Sequence, residues 1–432
     1  MLTISSNRRF LQHADGRPFF YLGDTAWELL HRCDREEADL YLRDRAAKGF
    51  TVIQTVALTE ADGLHTPNPY GDCPLIDDDP RRTNEAYWQH VDWIVRRANE
   101  LGLHVGFLPT WGEWHFSWHG HREIFNAENA WIYGEWVGRR YRDADVIWIL
   151  GGDRAVRSEE HLLVIRAMAE GLHVGDGGRH LRTYHPQGGT SSSQFVHAEP
   201  WVDFHMLQSG HRRDRDNYAM IERDYSLIPR RPCMDAEPGY EDHPIQFNPE
   251  RGWLDEHDVR KSCYWSLFAG AHGYTYGCHD IWQMWQPGRE SIGNARTPWR
   301  EALGFPGASQ LIHARRLLES RPFFTRIPDQ QIVGWFAGEG ADHVRSTRCT
   351  EGRYAFVYIP SGQRVTLNLG ALKGESLRAT WFNPRDGSAT PAGDVPRAER
   401  VVFQPPFGRG GRDWILVLDA IAEGFSSPGE LR

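Results

Sequence analysis

The chain has 432 residues, of which 40% are hydrophobic and 25% are charged, a composition typical of a globular protein. Its formal net charge is −9 at pH 7. Because no basic run interrupts this acidic balance, we do not expect nucleic acid as a partner. The apolar stretches are shorter than the roughly 18 residues needed to cross a bilayer, so we do not expect a membrane partner either.

The N-terminal sequence MLTISSNRRFLQ contains neither the apolar core nor the cleavage site of a secretion signal. We therefore expect a cytoplasmic protein, although a signal peptide removed beforehand would leave the same sequence. The six cysteines form no C-x-x-C pair, and we expect them to be free, buried thiols of a reducing compartment. They lie at positions 33, 73, 233, 263, 278 and 349.

Eight short apolar runs occupy the first three quarters of the chain, and most of them end at Gly, Pro, Asp or Glu. Segments with helical periodicity lie between most of these runs. Strands that alternate with helices predict parallel strands joined by crossovers, and eight such units predict a (β/α)8 TIM barrel. The runs span residues 18–27, 50–58, 104–114, 145–154, 181–186, 201–211, 231–241 and 273–280.

The helix boundaries are also visible in the sequence. Asp34 followed by Glu37 predicts a capping box, and Gly49 predicts the end of that helix. The long loops 60–83 and 279–297, which follow predicted strands, are expected to form the rim of a pocket. Further helices are predicted over residues 84–101, 127–143, 158–171, 214–226, 256–271 and 298–319.

The character of the sequence changes near residue 325, where short alternating runs separated by turn clusters predict a small all-β sandwich. We therefore divide the chain into a catalytic barrel, residues 1–324, and an accessory domain, residues 325–432. This domain could bind glycan or brace the barrel, and because Trp335, Trp381 and Trp414 fit a sandwich core equally well, we favour bracing. The predicted strands lie within residues 331–338, 353–360, 364–370, 377–384, 401–406 and 414–420.

Two carboxylates occupy the ends of opposed strands of the predicted barrel. Asp153 follows Gly-Gly at the end of the fourth strand, and Glu237 ends the seventh strand in MDAEPGYE. Glycoside hydrolysis requires two carboxyl groups on either side of one glycosidic bond, and strands four and seven can supply them. Because alternate residues of a strand face opposite sides, we expect Arg154 to point away from Asp153.

Other polar and aromatic residues at or near strand ends are expected to bind sugar hydroxyls or to orient the two acids. Taken one at a time, each is equally consistent with a helix cap or a satisfied core group. Aromatic residues in strand-end loops, including Trp118, Trp282 and Trp285, are typical of ligand pockets. The predicted substrate-binding residues are Asp24, Trp27, Gln54, Glu60, Trp111, Glu113, Trp114, His185, His205, Glu241 and Asp280.

The histidines raise the alternative of a metal site, because His115, His119 and His121 lie close together. A metal-dependent barrel hydrolase usually carries H-x-H at its first strand, whereas this strand ends in Gly-Asp-Thr, and no H-E-x-x-H or Cys/His quartet appears. We therefore expect neither a metal nor another cofactor. The segment GGTSSS, residues 188–193, lacks the frame of a phosphate loop and is predicted to be a flexible loop.

Several motifs, in order, closely resemble the apiosidase-like family of glycoside hydrolases, family 140. They include LGDTAWELLHRCDREEADLYLRDRAAKGFTVIQ, DGLHTPNPYGDCP, WILGGDR, MDAEPGYE and YWSLFAGAHGYTYGCHDIWQMW. The segment after about residue 325 resembles the small β-domain, named collagen-binding, that commonly follows this family's catalytic domain. The resemblance implies a (β/α)8 fold and retaining hydrolysis of bonds to apiose, a branched pentose of plant pectin. It also implies that Asp153 is the acid/base and Glu237 the nucleophile.

Three functions remain open at this point. The first is retaining hydrolysis of apiose-type linkages in pectin-derived oligosaccharides, and the second is cleavage of another furanose or deoxy-sugar linkage. The third is carbohydrate binding by a barrel without activity. Related retaining barrels carry Asn-Glu at the fourth strand, where this chain has Gly-Gly-Asp. A carbohydrate is the expected partner in every case, and the sequence leaves the oligomeric state open.

Overall fold

The computed structural model describes residues 1–116, 122–334, 337–406 and 413–431. Four residues named above, Trp118, His119, His121 and Trp335, lie outside the described residues. Each of the eight predicted apolar runs contains one strand of a parallel barrel. These strands are β1 (Tyr21–Thr25), β2 (Val52–Val56), β3 (His104–Leu108), β4 (Val146–Gly151), β5 (Arg182–His185), β6 (His205–Gln208), β7 (Cys233–Asp235) and β8 (Gly273–Tyr276).

The strands are hydrogen-bonded in the order β5-β4-β3-β2-β1-β8-β7-β6. β5 and β6 nearly close the barrel, because the N–H of Asp203 donates to the carbonyl of Arg182 at 2.9 Å and Thr183 donates to the carbonyl of Phe204 at 2.7 Å. The prediction of a flexible loop over residues 188–193 is wrong. Thr190–Ser191 forms a ninth, antiparallel strand against β6, and a short helix begins at residue 193.

Helices connect the barrel strands. The predicted capping box is confirmed, since Asp34 and Glu37 each accept a hydrogen bond from the other's backbone N–H. The predicted segment 298–319 contains two helices, Trp299–Ala302 and a second one that begins at Pro306. The crossover helices are α1 (Arg35–Ala47), α2 (Glu85–Glu100), α3 (Ala127–Arg140), α4 (Glu159–Asp176), α5 (Ser193–Val196), α6 (Asn217–Tyr225), α7 (Glu256–Phe268) and α8 (Pro306–Glu319).

Smaller elements surround the barrel. Short helices, Leu29–Arg32 and His279–Trp282, follow β1 and β8. Before the barrel, Leu2–Ile4, Leu11–His13 and Pro18–Phe19 form an antiparallel sheet, and Leu75–Ile76 pairs with Asp79–Thr83 inside the first long loop. Within the described ranges, no helix combines the length and apolar character needed to cross a membrane. All six cysteines are free, and all except Cys73 are buried.

The C-terminal region is an antiparallel β-domain, as predicted. Its strands are β9 (Arg326–Pro328), β10 (Arg345–Cys349), β11 (Tyr354–Ile359), β12 (Val365–Leu367), β13 (Ser376–Phe382), β14 (Ala389–Pro396), β15 (Val401–Phe403) and β16 (Trp414–Ala420). Six strands form one sheet in the order β9-β10-β11-β16-β13-β14, while β12 pairs with β15.

Two details of the sequence-based prediction for this domain are wrong. The expected strand at 331–338 begins as a 3-10 helix, Gln330–Val333. Strands β9, β10 and β14 were not predicted either. β9 has only three residues, β10 carries the polar sequence RSTRC, and β14 is an exposed edge strand that contains proline and glycine.

The β-domain packs on α7. Tyr264 stacks on Tyr358 with ring centroids 5.0 Å apart, and Arg260 donates two hydrogen bonds to the buried carboxylate of Asp413 at 3.0 and 2.9 Å. A stacked aromatic pair and a bidentate ion pair fix the orientation of the two parts. These contacts agree with the bracing role that we expect for this domain.

Candidate active site

A cavity of about 720 Å³ opens at the carboxyl ends of the barrel strands. This is the end at which TIM barrels hold their active sites, because the βα-loops converge there. Both predicted catalytic carboxylates, Asp153 and Glu237, line the cavity. Three of the predicted binding residues line it as well, namely Trp27, Glu60 and Trp111.

The Gly-Gly-Asp sequence after β4 turns the chain sharply at the cavity. Gly151 and Gly152 have φ angles of +86° and +115°, and Asp153 itself is left-handed at +51°. A Cβ on Gly151 would lie 2.5 Å from the carbonyl oxygen of His185, and one on Gly152 would lie 2.8 Å from the N atom of Gly112. Only glycine fits at both positions, so this turn holds Asp153 against neighbouring strand ends.

The guanidinium of Arg154 turns toward the carboxylate of Asp153, and the prediction that Arg154 points away from Asp153 is therefore wrong. Its Nη1 lies 3.1 Å from Oδ2 of Asp153, and its Nη2 donates to Glu113 at 2.7 Å and to Glu60 at 3.4 Å. The alternation of a strand does not apply here, because β4 ends at Gly151 and Asp153 is left-handed. Glu113 acts on the site through Arg154, since it does not line the cavity.

Asp153 remains accessible from the cavity, with 33% of its side chain exposed. Its Oδ1 accepts a hydrogen bond from the N–H of Gly188 at 3.3 Å. Burial and repulsion from Glu237 raise the pKa of Asp153, and the positive charge of Arg154 opposes this only in part. A carboxyl group with a raised pKa keeps its proton at higher pH and can serve as a general acid.

Glu237 lies between two histidines. Nε2 of His185 is 3.0 Å from its Oε2, and Nε2 of His211 is 3.6 Å from its Oε1. Burial alone would raise the pKa of Glu237, but the two histidines outweigh it and hold this pKa below its usual range. The two carboxyl groups of the cavity therefore have pKa values displaced in opposite directions, lowered at Glu237 and raised at Asp153.

Glu60 is a third carboxyl group in the cavity. Burial and the charge of Asp153 raise the pKa of Glu60 to about 7, although Arg154 opposes the shift. A neutral Glu60 would be able to donate a hydrogen bond to a bound hydroxyl.

Comparison with known proteins places this geometry in a family. The sequence profile described as "Apiosidase-like, catalytic domain" matches residues 5–325, and that of the "Putative collagen-binding domain of a collagenase" matches residues 327–419. The chain belongs to the apiosidase-like family.

Two solved structures are similar over nearly the whole chain. A glycoside hydrolase family 5 protein from Bacteroides vulgatus ATCC 8482 is 32% identical, with a TM-score of 0.90 over 98% of this chain and 94% of that one. A second structure, named glycoside hydrolase, is 32% identical, with a TM-score of 0.89 over 98% and 97% of the two chains. No curated protein is significantly similar. This apiosidase-like protein is therefore a glycosidase, and the family number 140 stays a prediction.

Aromatic side chains form one wall of the apiosidase-like site. The ring of Trp27 lies 5.3 Å from that of Trp111 and 5.3 Å from the imidazole of His185. His185 is fully buried, and it reaches the site through its contact with Glu237. Trp114 lies behind this wall, where its Nε1 donates to the carbonyl of Thr59 at 2.9 Å.

Asp24 and Gln54 do not line the cavity. Oδ2 of Asp24 accepts hydrogen bonds from Tyr41 at 2.6 Å and from Arg45 at 2.5 Å in the fully buried barrel wall. The amide of Gln54 donates to the carbonyl of Ala236 at 3.2 Å inside the barrel. These contacts hold both side chains in the barrel core, so the placement does not support the expected contacts with substrate.

Three further residues that were predicted to bind substrate do not line the cavity either. Glu241 accepts a hydrogen bond from the hydroxyl of Tyr276 at 2.7 Å. Asp280 accepts two from backbone N–H groups of the following loop, at 2.9 and 3.0 Å. His205 is bonded to Ser192 at 2.9 Å. Each of them holds a loop or helix near the site and does not line the cavity.

The sequence analysis did not predict most of the cavity-lining residues that follow β6 and β7. His211 and Tyr240 end predicted runs, so their strand-end positions were a usable signal. Phe247 lies beyond β7 in an irregular loop, where no periodicity marks it. The two long loops do reach the cavity, through Glu60 in the first and Trp282 in the second.

Of the three clustered histidines, only His115 lies among the described residues. Its buried ring packs 4.8 Å from that of Phe125. Among the described residues, one group has the spacing of metal ligands: Asp255, His257 and Asp258. It lies at the start of α7, away from the cavity. Asp255 accepts the N–H groups of the other two at 3.0 and 3.1 Å, so helix capping explains its position.

Proposed function

We propose that this glycosidase cleaves apiose-type linkages of pectin-derived oligosaccharides, with retention of anomeric configuration. The observation that carries the mechanism is that Asp153, beside Arg154, and Glu237, beside His185, line the same cavity. The pKa of Asp153 is raised and that of Glu237 is lowered. Pairs of carboxyl groups whose environments separate their pKa values divide the roles of acid and nucleophile.

In the first step, a carboxylate oxygen of Glu237 attacks the anomeric carbon, and the bond from that carbon to the glycosidic oxygen breaks. Asp153 donates its proton to the departing oxygen, which leaves as an alcohol. The ionised Asp153 is then stabilised by Arg154, which lies 3.1 Å away. The product of this step is a covalent glycosyl ester of Glu237.

In the second step, Asp153 removes a proton from a water molecule as the water oxygen attacks the anomeric carbon. The ester bond to Glu237 breaks, its carboxylate is restored, and the free sugar leaves. His185 and His211 stabilise the returning negative charge, because both lie against its two oxygens. The site is thereby reset without any change in its net protonation.

The choice of apiose rests on the membership of the apiosidase-like family, which spans the barrel. Fold and a catalytic pair define a reaction class better than they define a sugar. The substrate must therefore be tested directly, against synthetic glycosides of other furanoses and deoxy-sugars.

The test incubates wild type, Glu237→Gln and Asp153→Asn with apiose-containing pectic oligosaccharides, and measures free apiose by chromatography. Release by wild type, and its loss in both variants, is the expected result. Glu250→Gln, an exposed site beyond β7, serves as the matched control. Proton NMR of the first-formed sugar tests retention. Activity on a different glycoside alone would contradict the assignment to apiose, and an inverted product would contradict the mechanism.

A further inference from the structure

The cavity has two unlike sides. After β8, β1 and β3 it is lined by Trp282, Trp27 and Trp111, all of which are buried. After β5, β6 and β7 the lining includes buried side chains such as Tyr240 and His243, but also glycines and the exposed side chains of Arg212 and Phe247. A buried aromatic side suits a single sugar ring, whereas an open side leaves room for the remainder of a longer substrate.

Asp153 indicates which side receives the leaving group. A general acid must face the oxygen of the departing alcohol, so the leaving group lies on the side toward which its carboxyl is directed. Oδ1 of Asp153 accepts the N–H of Gly188, a residue of the β5–β6 connection. That connection borders the open side of the cavity.

Phe247 is a large apolar side chain on this open side, and it is 60% exposed. Its ring meets the imidazoles of His243 and His211 at 81° and 85°, with centroids 4.6 and 5.6 Å away. Neither histidine stacks flat on the phenyl ring. Exposure of so large an apolar group inside a cavity suggests a ligand that covers it.

The backbone at Phe247 is strained. Gln246 and Phe247 are two successive non-glycine residues in the left-handed region, with φ angles of +55° and +60°. Such residues persist only where the surrounding structure holds them, and they are concentrated at functional sites. Here the N–H of Gln246 donates to the carbonyl of His211, and that of Phe247 to the carbonyl of Pro244, both at 2.9 Å.

We propose that Phe247 is a stacking platform for the leaving-group sugar, which makes this protein selective for glycosides whose aglycone is itself a sugar ring. The C–H groups on one face of a pyranose are apolar and carry a partial positive charge, so they suit the electron-rich face of a phenyl ring. The proposal rests on the proposed function, because the side assigned to the leaving group depends on Asp153 being the acid.

The test compares two substrates of the same glycone, one with a second sugar ring as leaving group and one with methanol. The glycone is whichever sugar the wild type cleaves in the panel described above, so the test does not depend on apiose. The quantity measured is the ratio of kcat/KM for the disaccharide to that for the methyl glycoside. Because a partial loss of folded enzyme lowers both kcat/KM values by the same factor, it does not change their ratio.

We expect Phe247→Leu, which keeps apolar bulk but lacks a flat face, to lower this ratio roughly three- to tenfold. Phe247→Tyr, which restores the ring, should recover it. Trp131→Ala provides the control, since it removes an exposed aromatic from α3 outside the cavity. An unchanged ratio in Phe247→Leu would overturn the platform while leaving the proposed function intact.

If the wild type cleaves no glycoside, the proposed function fails. The role of Phe247 is then tested through the affinity for oligosaccharides. Calorimetry then compares pectic oligosaccharides with Glu237→Gln and with the double variant that adds Phe247→Leu. Equal affinities would overturn the platform, and a loss of roughly three- to tenfold in the double variant alone would support it.

Discussion

His185 connects the two carboxylates of the site. Its Nε2 lies 3.0 Å from Oε2 of Glu237, and its Nδ1 accepts the backbone N–H of Asp153 at 3.4 Å. Because the imidazole is fully buried at the end of β5, it has little freedom to move. One ring therefore contacts the acid through its backbone and the nucleophile through its carboxylate.

The pH dependence of hydrolysis should be bell-shaped with a broad plateau. Activity requires Glu237 ionised and Asp153 protonated. A lowered pKa at Glu237 extends activity toward low pH, and a raised pKa at Asp153 extends it toward neutral pH. Kinetics of kcat/KM from acidic to neutral pH check this. A profile whose descending limb is the same in Asp153→Asn would contradict the role of Asp153.

Replacement of His185 should affect mainly the acidic limb. His185→Asn keeps an acceptor for the N–H of Asp153 but removes the contact with Glu237, so the pKa of Glu237 should rise. We expect the acidic limb to move upward by roughly one pH unit. His185→Gln is the matched control, because its amide nitrogen reaches toward Glu237. Equal displacement of the limb in both variants would indicate a general structural effect.

Gly152→Ala should reduce activity severely. At φ +115° an alanine is strained, and its Cβ would lie 2.8 Å from both the N atom of Gly112 and the ring of Trp111. We expect a loss of about 1–3 kcal/mol in the free energy of unfolding, together with displacement of Asp153. Gly177→Ala is the control, since Gly177 has φ +70° but no atom near its added Cβ. Denaturant unfolding and kcat measure the two effects, and comparable losses in both variants would contradict this explanation.

Arg154→Met should remove the two hydrogen bonds that the guanidinium donates to the buried carboxylate of Glu113. Since Glu113 is 2% exposed, we expect the free energy of unfolding to fall by about 3 kcal/mol. The pKa of Asp153 should also rise further, because the guanidinium that opposes its shift is gone. The descending limb of the pH profile would then move to higher pH.

A double-mutant cycle separates these two effects. In Arg154→Met combined with Glu113→Gln, most of the stability should return, because a neutral amide depends less on the guanidinium than a carboxylate does. The changed pH profile should persist, since Asp153 still lacks its cation. Additive losses of stability in the double variant would show that the Arg154–Glu113 pair is not coupled.

The order of elements was predictable because it depends on local patterns. Alternating apolar runs and helical segments identified all eight barrel strands, and the pair Asp34 and Glu37 identified a helix start. Strand β14 escaped prediction because its proline, glycine and exposed residues do not alternate. Pattern reasoning detects elements that bury one face and misses an edge strand that buries neither.

The site was predictable in part, and the errors have one cause. Position at a strand end identified Asp153, Glu237, Glu60, Trp27 and Trp111, which line the cavity. The same rule also selected Asp24 and Gln54, because a strand end does not reveal which way a side chain turns. Arg154 was assigned the wrong direction because the left-handed backbone at Asp153 interrupts the alternation of β4.

The sequence by itself determined the barrel, the β-domain and the presence of two carboxylates on opposed strands, because periodicity and strand order are properties of the chain. Only the tertiary structure determined which side chains contact one another and which are exposed in the cavity. His185 beside Glu237, Arg154 beside Asp153 and Phe247 exposed in the cavity all join residues from different strand ends or depend on left-handed backbone. Contacts of this kind depend on side-chain direction and burial, which a linear pattern does not specify.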